Sequence, residues 1–263
     1  MGEHMNAMVK RMLSALIPAS FKPFTMFPYR YHGSPYEVKV GMSESGLPFA
    51  EYRNHHVHFP ADMTLQQVEW CYRTYLEDEG LTGLGRRTKS PHCYITPDHH
   101  PDRGDIIVDV GCSEGFFSRA YAPDARRLYL FEADEKWTDP IAATFADCRE
   151  RVVFTRKFVG SETAGDQVRL GDVVRGGADD VFFIKMDIEG AERAVLEASR
   201  DFLMSHKVKL SCCAYHRQDD GRYLTKLLKD MGFTTRYSDG WMLPYGGRTF
   251  PFLRHGVIYA HNY

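Results

Sequence analysis

Asp109, Glu132, Asp187 and His216 each close or follow an apolar run: Ile106–Val110, Arg127–Phe131, Val181–Met186 and Val208–Ala214 respectively. Runs of this length and composition read as strands of a parallel sheet, and in such a sheet ligands sit beyond the carboxyl ends of the strands. The three carboxylates and the imidazole are therefore expected to converge on one crevice. A histidine at a strand terminus can accept a proton near neutral pH, which makes His216 the first choice for a general base. Asp187 could orient that histidine, contact a substrate hydroxyl or bind a ligand ammonium, so these two residues are the expected catalytic pair.

The ligand is argued from charge. In Asp105-Ile-Ile-Val-Asp-Val-Gly-Cys-Ser-Glu-Gly-Phe-Phe117 a strand stops at Gly111, a tight loop runs to Gly115, and a helix begins at Phe116. A pyrophosphate cofactor wants exposed amides, little negative charge and Gly-x-Gly-x-x-Gly spacing. This loop is Gly-x-x-x-Gly, ends its strand at Asp109 and carries Glu114 inside, so a dianion would meet two carboxylates. S-adenosylmethionine brings a sulfonium and an ammonium and no phosphate, and suits the loop better. Glu132 lies about 20 positions beyond the glycines, where a ribose diol is hydrogen-bonded in NAD and S-adenosylmethionine sites alike.

Around these residues strands and helices alternate at the spacing of a doubly wound α/β sheet. Strands are expected at 127–132, 152–158, 181–186 and 208–214. Helices are expected near 140–148, from 192 through Phe202, and near 221–231. Thr234–Tyr237 and Gly256–Ala260 are expected to pair antiparallel at the sheet edge. Upstream, short strands and loops cover Phe21 to Phe59, Thr64-Leu-Gln-Gln67 has the form of a capping box opening a helix to about 78, and Gly80 to Lys89 reads as a loop. Ser90-Pro-His-Cys-Tyr94 stands where it can line the site. Residues Met1 to Ser20 read as an amphipathic helix or loose tail rather than a signal peptide.

A net charge of -2 from 33 basic and 35 acidic residues advertises neither nucleic acid nor a membrane surface, and no apolar run is long enough to span a bilayer. The six cysteines lack Cys-x-x-Cys spacing and read as reduced, buried thiols of a cytoplasmic protein. His55-His56-Val-His58 and Asp98-His-His-Pro-Asp102 lack paired cysteines and helical spacing, and are expected as exposed loop residues rather than zinc ligands.

Ile184-Lys-Met-Asp-Ile-Glu-Gly-Ala-Glu192, two strand-helix units after Asp109-Val-Gly-Cys-Ser-Glu-Gly115, resembles the FkbM family of methyltransferases, as do His216 and the Leu-Leu-x-x-x-Gly-Phe run at 227–233. The resemblance covers about 85 to 261. The family's first motif is commonly Asp-x-Gly-Ala-Asn-x-Gly; here Cys112-Ser113-Glu114 replace Ala-Asn-x, and Cys213-Ala-Tyr215 stand where many members carry a glutamate. The resemblance implies a class I, Rossmann-like, seven-stranded and mostly parallel sheet over 86–263, and residues 1–85 are expected to form an N-terminal cap over the acceptor site. It also implies S-adenosylmethionine as cofactor and O-methylation of a hydroxyl on a small molecule or glycan precursor of sugar, polysaccharide or polyketide type. The expected cofactor contacts are Asp109, Gly111, Ser113, Glu114, Gly115, Glu132 and Asp187.

Three alternatives stay open at this stage. Asp187, Glu189 and a further oxygen or His216 could coordinate Mg²⁺, although the sequence offers no complete ligand set. An NAD-dependent oxidoreductase would keep Glu132 on the ribose, and a catalytically silent methyltransferase fold would bind without turnover.

Overall fold

The computed structural model of the protein describes residues 25–26, 38–52, 54–78, 91–242 and 253–263. The helix or tail expected within Met1–Ser20 and the loop at 80–89 lie outside them. In chain order the first strands are β1 (Thr25–Met26), β2 (Val40–Met42), β3 (Pro48–Tyr52) and β4 (His55–His58), followed by α1 (Leu65–Asp78), β5 (Ile106–Val110), α2 (Phe116–Tyr121) and β6 (Arg127–Phe131). Next come α3 (Thr138–Thr144), β7 (Val152–Thr155), β8 (Phe158–Val159), β9 (Gln167–Val168), α4 (Leu170–Val173) and β10 (Val181–Met186). The chain continues through α5 (Glu192–Ala198), α6 (Arg200–Ser205), β11 (Lys207–Cys213), α7 (Asp220–Asp230), β12 (Thr234–Tyr237), β13 (Trp241–Met242) and β14 (Val257–His261).

Seven strands form the main sheet in the order β12-β14-β11-β10-β5-β6-β7. The five from β11 to β7 are parallel, and β14 and β12 close the edge antiparallel. The glycine loop after β5 and the acidic turn after β10 thus lie side by side at the centre of one rim.

Pleating decides which side chain goes where. Ile106, Val108 and Val110 of β5 join Phe182, Ile184 and Met186 of β10 in one apolar cluster with Val195, Leu203 and Leu224 from α5, α6 and α7. Ile107 and Phe183 face the other way, into a cluster with Phe116, Leu128 and Ile141. Each such buried side chain contributes roughly 1.5–3 kcal/mol. Ala50, Val57, Phe59, Val68, Tyr72 and Leu76 belong to that second cluster, so β3, β4 and α1 pack on the sheet's second face. A reciprocal capping box starts α1: the Thr64 amide donates to Gln67 Oε1 at 2.8 Å and the Gln67 amide to Thr64 Oγ1 at 3.3 Å.

Several elements differ from expectation. The single helix expected from 192 through Phe202 is two, α5 and α6, broken at Ser199, whose φ of -94° and ψ of 7° leave the helical region. The strand expected at 152–158 ends at Thr155 and a separate β8 follows. The two histidine patches are only partly exposed loops: residues 98–102 form a loop with Asp98 and Asp102 exposed, but each patch buries one histidine. His55–His58 is β4, and His58 is buried. His99 is buried between Phe183 and Tyr259 and pairs with Ser211 Oγ at 3.1 Å, and burial, helped by Arg236 and Lys209, pushes its pKa down to about 3. It is therefore a neutral core residue. All six cysteines are free thiols, with Cys71 partly exposed and the other five buried. Among the described residues no helix is long and apolar enough to cross a membrane.

Candidate active site

A cavity of about 760 Å³, within the range of small-molecule sites, opens at the carboxyl ends of β5, β6 and β10. Gly111, Ser113, Glu114, Glu132 and Asp187 line it, together with Tyr75 from α1 and Tyr94. Asp109, Gly115 and His216 are not among its lining residues.

The loop is built by left-handed backbone at Gly111, Ser113 and Gly115, with φ of 78°, 45° and 74°. Gly111 is required twice over, because a Cβ there would also lie 2.0 Å from the Asp187 carbonyl oxygen. Its amide and that of Cys112 both donate to the Phe131 carbonyl at 3.0 Å. The Ser113 amide donates to Glu132 Oε2 at 3.2 Å and the Gly115 amide to the Cys112 carbonyl at 2.7 Å. The amides of Gly111, Cys112, Ser113 and Gly115 are thus engaged inside the protein, leaving little of the loop to cradle a phosphate.

Asp109 sits apart from the cavity for a reason set by the pleat. It is register partner to Lys185 on the second face of the sheet, where it is fully buried. Ser118 Oγ donates to its Oδ2 at 2.7 Å, and Lys185 Nζ lies 3.2 Å from its Oδ1. The same ammonium donates to the Gly111 carbonyl at 2.5 Å and lies over the Tyr94 ring, 5.2 Å from its centre. Asp109 thus anchors the lysine that anchors the loop. Gly115 likewise has a structural place, as the residue preceding α2, packed so closely that a Cβ would meet Phe145 at 2.7 Å.

Asp187 is the hub of the acidic turn. Tyr94 donates to its Oδ2 at 2.6 Å and accepts from His92 Nε2 at 2.9 Å, while His216 Nε2 stands 3.3 Å from its Oδ1. Burial works against the carboxylate, but His92, Lys185 and His216 outweigh it and hold Asp187 well below the usual carboxylate range. The segment bearing His92 and Tyr94 is irregular, yet three side chains of the sheet edge fix it. Ser238, Tyr259 and Ser211 donate to the carbonyls of Pro91, Cys93 and Tyr94 at 2.6, 2.5 and 2.6 Å.

His216 lies among three carboxylates. Its Nδ1 lies 2.8 Å from Glu192 Oε1, and neither ring nitrogen has a hydrogen-bond partner in line with it. Burial disfavours the imidazolium, but Glu192, Asp187 and the exposed Glu189 outweigh it and raise the pKa above its ordinary value. Glu192 is buried and accepts the Ile188 amide at 3.1 Å, closing a turn in which Glu189 and Gly190 have φ of 54° and 99°. The Asp-x-Glu-Gly-x-Glu motif is thus folded around a histidine whose imidazolium form its carboxylates favour.

Among the described residues two trios bring ligand atoms within 4.8 Å of one another: Asp187, Glu192 and His216, and His92, Asp187 and Cys213. In the first, His216 Nε2 faces Asp187 and its Nδ1 faces Glu192, and in the second the Cys213 thiol is fully buried. Neither is the oxygen-rich set that Mg²⁺ prefers.

A seven-stranded sheet of this order with a cavity over its central loops defines a Rossmann-like methyltransferase fold. The methyltransferase FkbM domain matches residues 93–235, more than half of the 263-residue chain, and the protein belongs to that family of methyltransferases. The structure of methyltransferase FkbM from Methylobacillus flagellatus KT is 19% identical, with a TM-score of 0.53, and the match covers 74% of this chain and 52% of that one. The chain therefore spans about half the length of that relative. A precorrin-6y C5,15-methyltransferase from Geobacter metallireducens GS-15 is 13% identical at a TM-score of 0.40, covering 62% and 81% of the two chains. SMU.1697c from Streptococcus mutans, solved in complex with SAH, is 12% identical at a TM-score of 0.41, covering 62% and 90%. No curated protein sequence matches the chain.

Proposed function

We propose that the protein is an S-adenosylmethionine-dependent O-methyltransferase acting on a hydroxyl of a small molecule or glycan precursor. The observation that carries the cofactor is the pairing of a loop whose Gly111, Cys112, Ser113 and Gly115 amides are engaged with a cavity wall on which five carboxylates, Glu114, Glu132, Asp166, Asp187 and Glu189, outnumber Lys157 and Lys185. A cationic ligand without phosphate fits that wall, and a dinucleotide does not. When bound, the cofactor supplies an electrophilic methyl group on a sulfonium. Glu132, whose oxygens already take the Ser113 and Asp134 amides, keeps lone pairs for a ribose diol. Asp187 presents a fixed negative charge at the end of β10 and holds Tyr94 against the cavity. His216 is then a positioning residue, locking Asp187 and the turn that follows it. Tyr75 and Tyr94 supply aromatic and hydroxyl surface for an acceptor, consistent with α1 acting as part of a cap.

Methyl transfer needs alignment more than acid-base power, so the groups that orient the two partners carry most of the effect. Radiolabelled methyl should pass from S-adenosylmethionine to hydroxylated acceptors and stay on the product through mild alkali, as an ether does and a methyl ester does not. Asp187→Asn is expected to lower kcat about 10²-fold or more. Label lost in alkali would refute hydroxyl methylation, and an unimpaired Asp187→Asn would refute the placement of Asp187.

A further inference from the structure

Glu114 is one of the carboxylates that line the cavity. It is buried, 5% exposed, in a loop position next to Gly115, and accepts the Tyr75 hydroxyl from α1 at 3.0 Å. The charged and titratable groups facing it are Tyr75 and Cys71 of α1, Asp109 of β5, Cys112 of the loop and Lys185 of β10. Lys185 is already matched with Asp109, so no cation is dedicated to Glu114. A buried carboxyl on a ligand cavity, supported by neutral donors such as the Tyr75 hydroxyl and no counter-ion of its own, takes its charge state from what fills the cavity.

We propose that Glu114 reads the charge of the cofactor sulfur, ionised when a sulfonium occupies the cavity and protonated when a thioether does, and so sets the preference between S-adenosylmethionine and S-adenosylhomocysteine. This rests on the cofactor reading above. Methyl transfer breaks the carbon-sulfur bond, leaves its electron pair on sulfur, forms a carbon-oxygen bond and frees the hydroxyl proton. The cavity loses one positive charge as one proton is released, and Glu114 takes up a proton at that moment and returns it to solvent when the next sulfonium enters. Burial, partly offset by Tyr75 and Lys185, pushes its pKa up to about 7, so either state is reached at working pH. A sulfonium lowers that value and a thioether does not, hence S-adenosylmethionine loses affinity relative to S-adenosylhomocysteine as pH falls.

The test is calorimetric titration of the full chain with both ligands from pH 5.5 to 8.5, in buffers of different ionisation enthalpy. S-adenosylhomocysteine should take up as much as one proton more than S-adenosylmethionine. The ratio of the two dissociation constants, S-adenosylmethionine over S-adenosylhomocysteine, should rise by up to about tenfold per unit of pH lowered. Glu114→Gln should erase the difference in proton uptake. Tyr75→Phe, which removes the donor favouring the carboxylate, should move the midpoint to higher pH and carries the test if Glu114→Gln does not fold. Equal proton uptake by both ligands in the wild type, a difference that survives Glu114→Gln, or an unmoved midpoint in Tyr75→Phe would overturn the proposal while leaving the cofactor in place. Failure of the wild type to bind either ligand would overturn both readings.

Discussion

Gly111→Ala is expected to abolish S-adenosylhomocysteine binding and to destabilise the protein by at least about 3 kcal/mol. Two costs add. Left-handed backbone at φ of 78° costs an alanine about 1–2 kcal/mol, and its methyl would stand 2.0 Å from the Asp187 carbonyl oxygen, a backbone atom at the end of β10 that cannot swing aside. The loop would have to move off the neighbouring strand, taking with it the Gly111 carbonyl held by Lys185 and the Ser113 amide held by Glu132. Gly232→Ala is the control, because φ there is 88° but nothing lies within 4 Å of the added methyl. It should cost only the backbone term, about 1–2 kcal/mol. Urea unfolding of the two variants separates these contributions, and a Gly111→Ala protein no less stable than Gly232→Ala would show that the close approach of the two strand ends is misjudged.

Lys185→Met is expected to cost about 3–5 kcal/mol, because it leaves Asp109 buried with Ser118 as its sole remaining partner among the contacts described above. The side chains are 8% and 0% exposed, so water cannot screen or replace the pair. Removing the second charge as well should return much of the loss, since a neutral side chain at 109 no longer demands a cation. Lys185→Met combined with Asp109→Asn should therefore unfold at higher urea than Lys185→Met alone, a coupling that a double-mutant cycle reads directly. Additive losses would mean that the two charges act independently.

These two residues also show what could be read from the chain before its fold. The order of strands and helices follows from apolar runs of the right length separated by glycine turns, and the seven-stranded sheet with its antiparallel edge agrees with it. Gly111, Ser113, Glu114, Glu132 and Asp187 line the cavity because each lies in a loop or immediately beyond a strand, where sequence position fixes location. Asp109 lies one residue inside its strand, and there pleat rather than proximity decides its direction. The clue was Lys185, a charge inside Phe182-Phe-Ile-Lys-Met186, since a lysine in a run buried on both faces requires a buried partner. His216 stood at the expected strand end, but its charge depends on Glu192, five residues beyond the hub Asp187 and brought under the ring by the left-handed turn at Glu189 and Gly190. The contacts of His92, Tyr94 and Tyr75 with Asp187 and Glu114 join segments 39 to 95 residues apart in sequence, and no local pattern encodes them.

The most direct test of the account is calorimetric titration of the wild-type protein with S-adenosylhomocysteine beside NAD under one set of conditions. The engaged loop amides and the acidic wall predict saturable one-site binding of S-adenosylhomocysteine and none of NAD. Binding of NAD without S-adenosylhomocysteine would contradict the reading of the cavity from its charge.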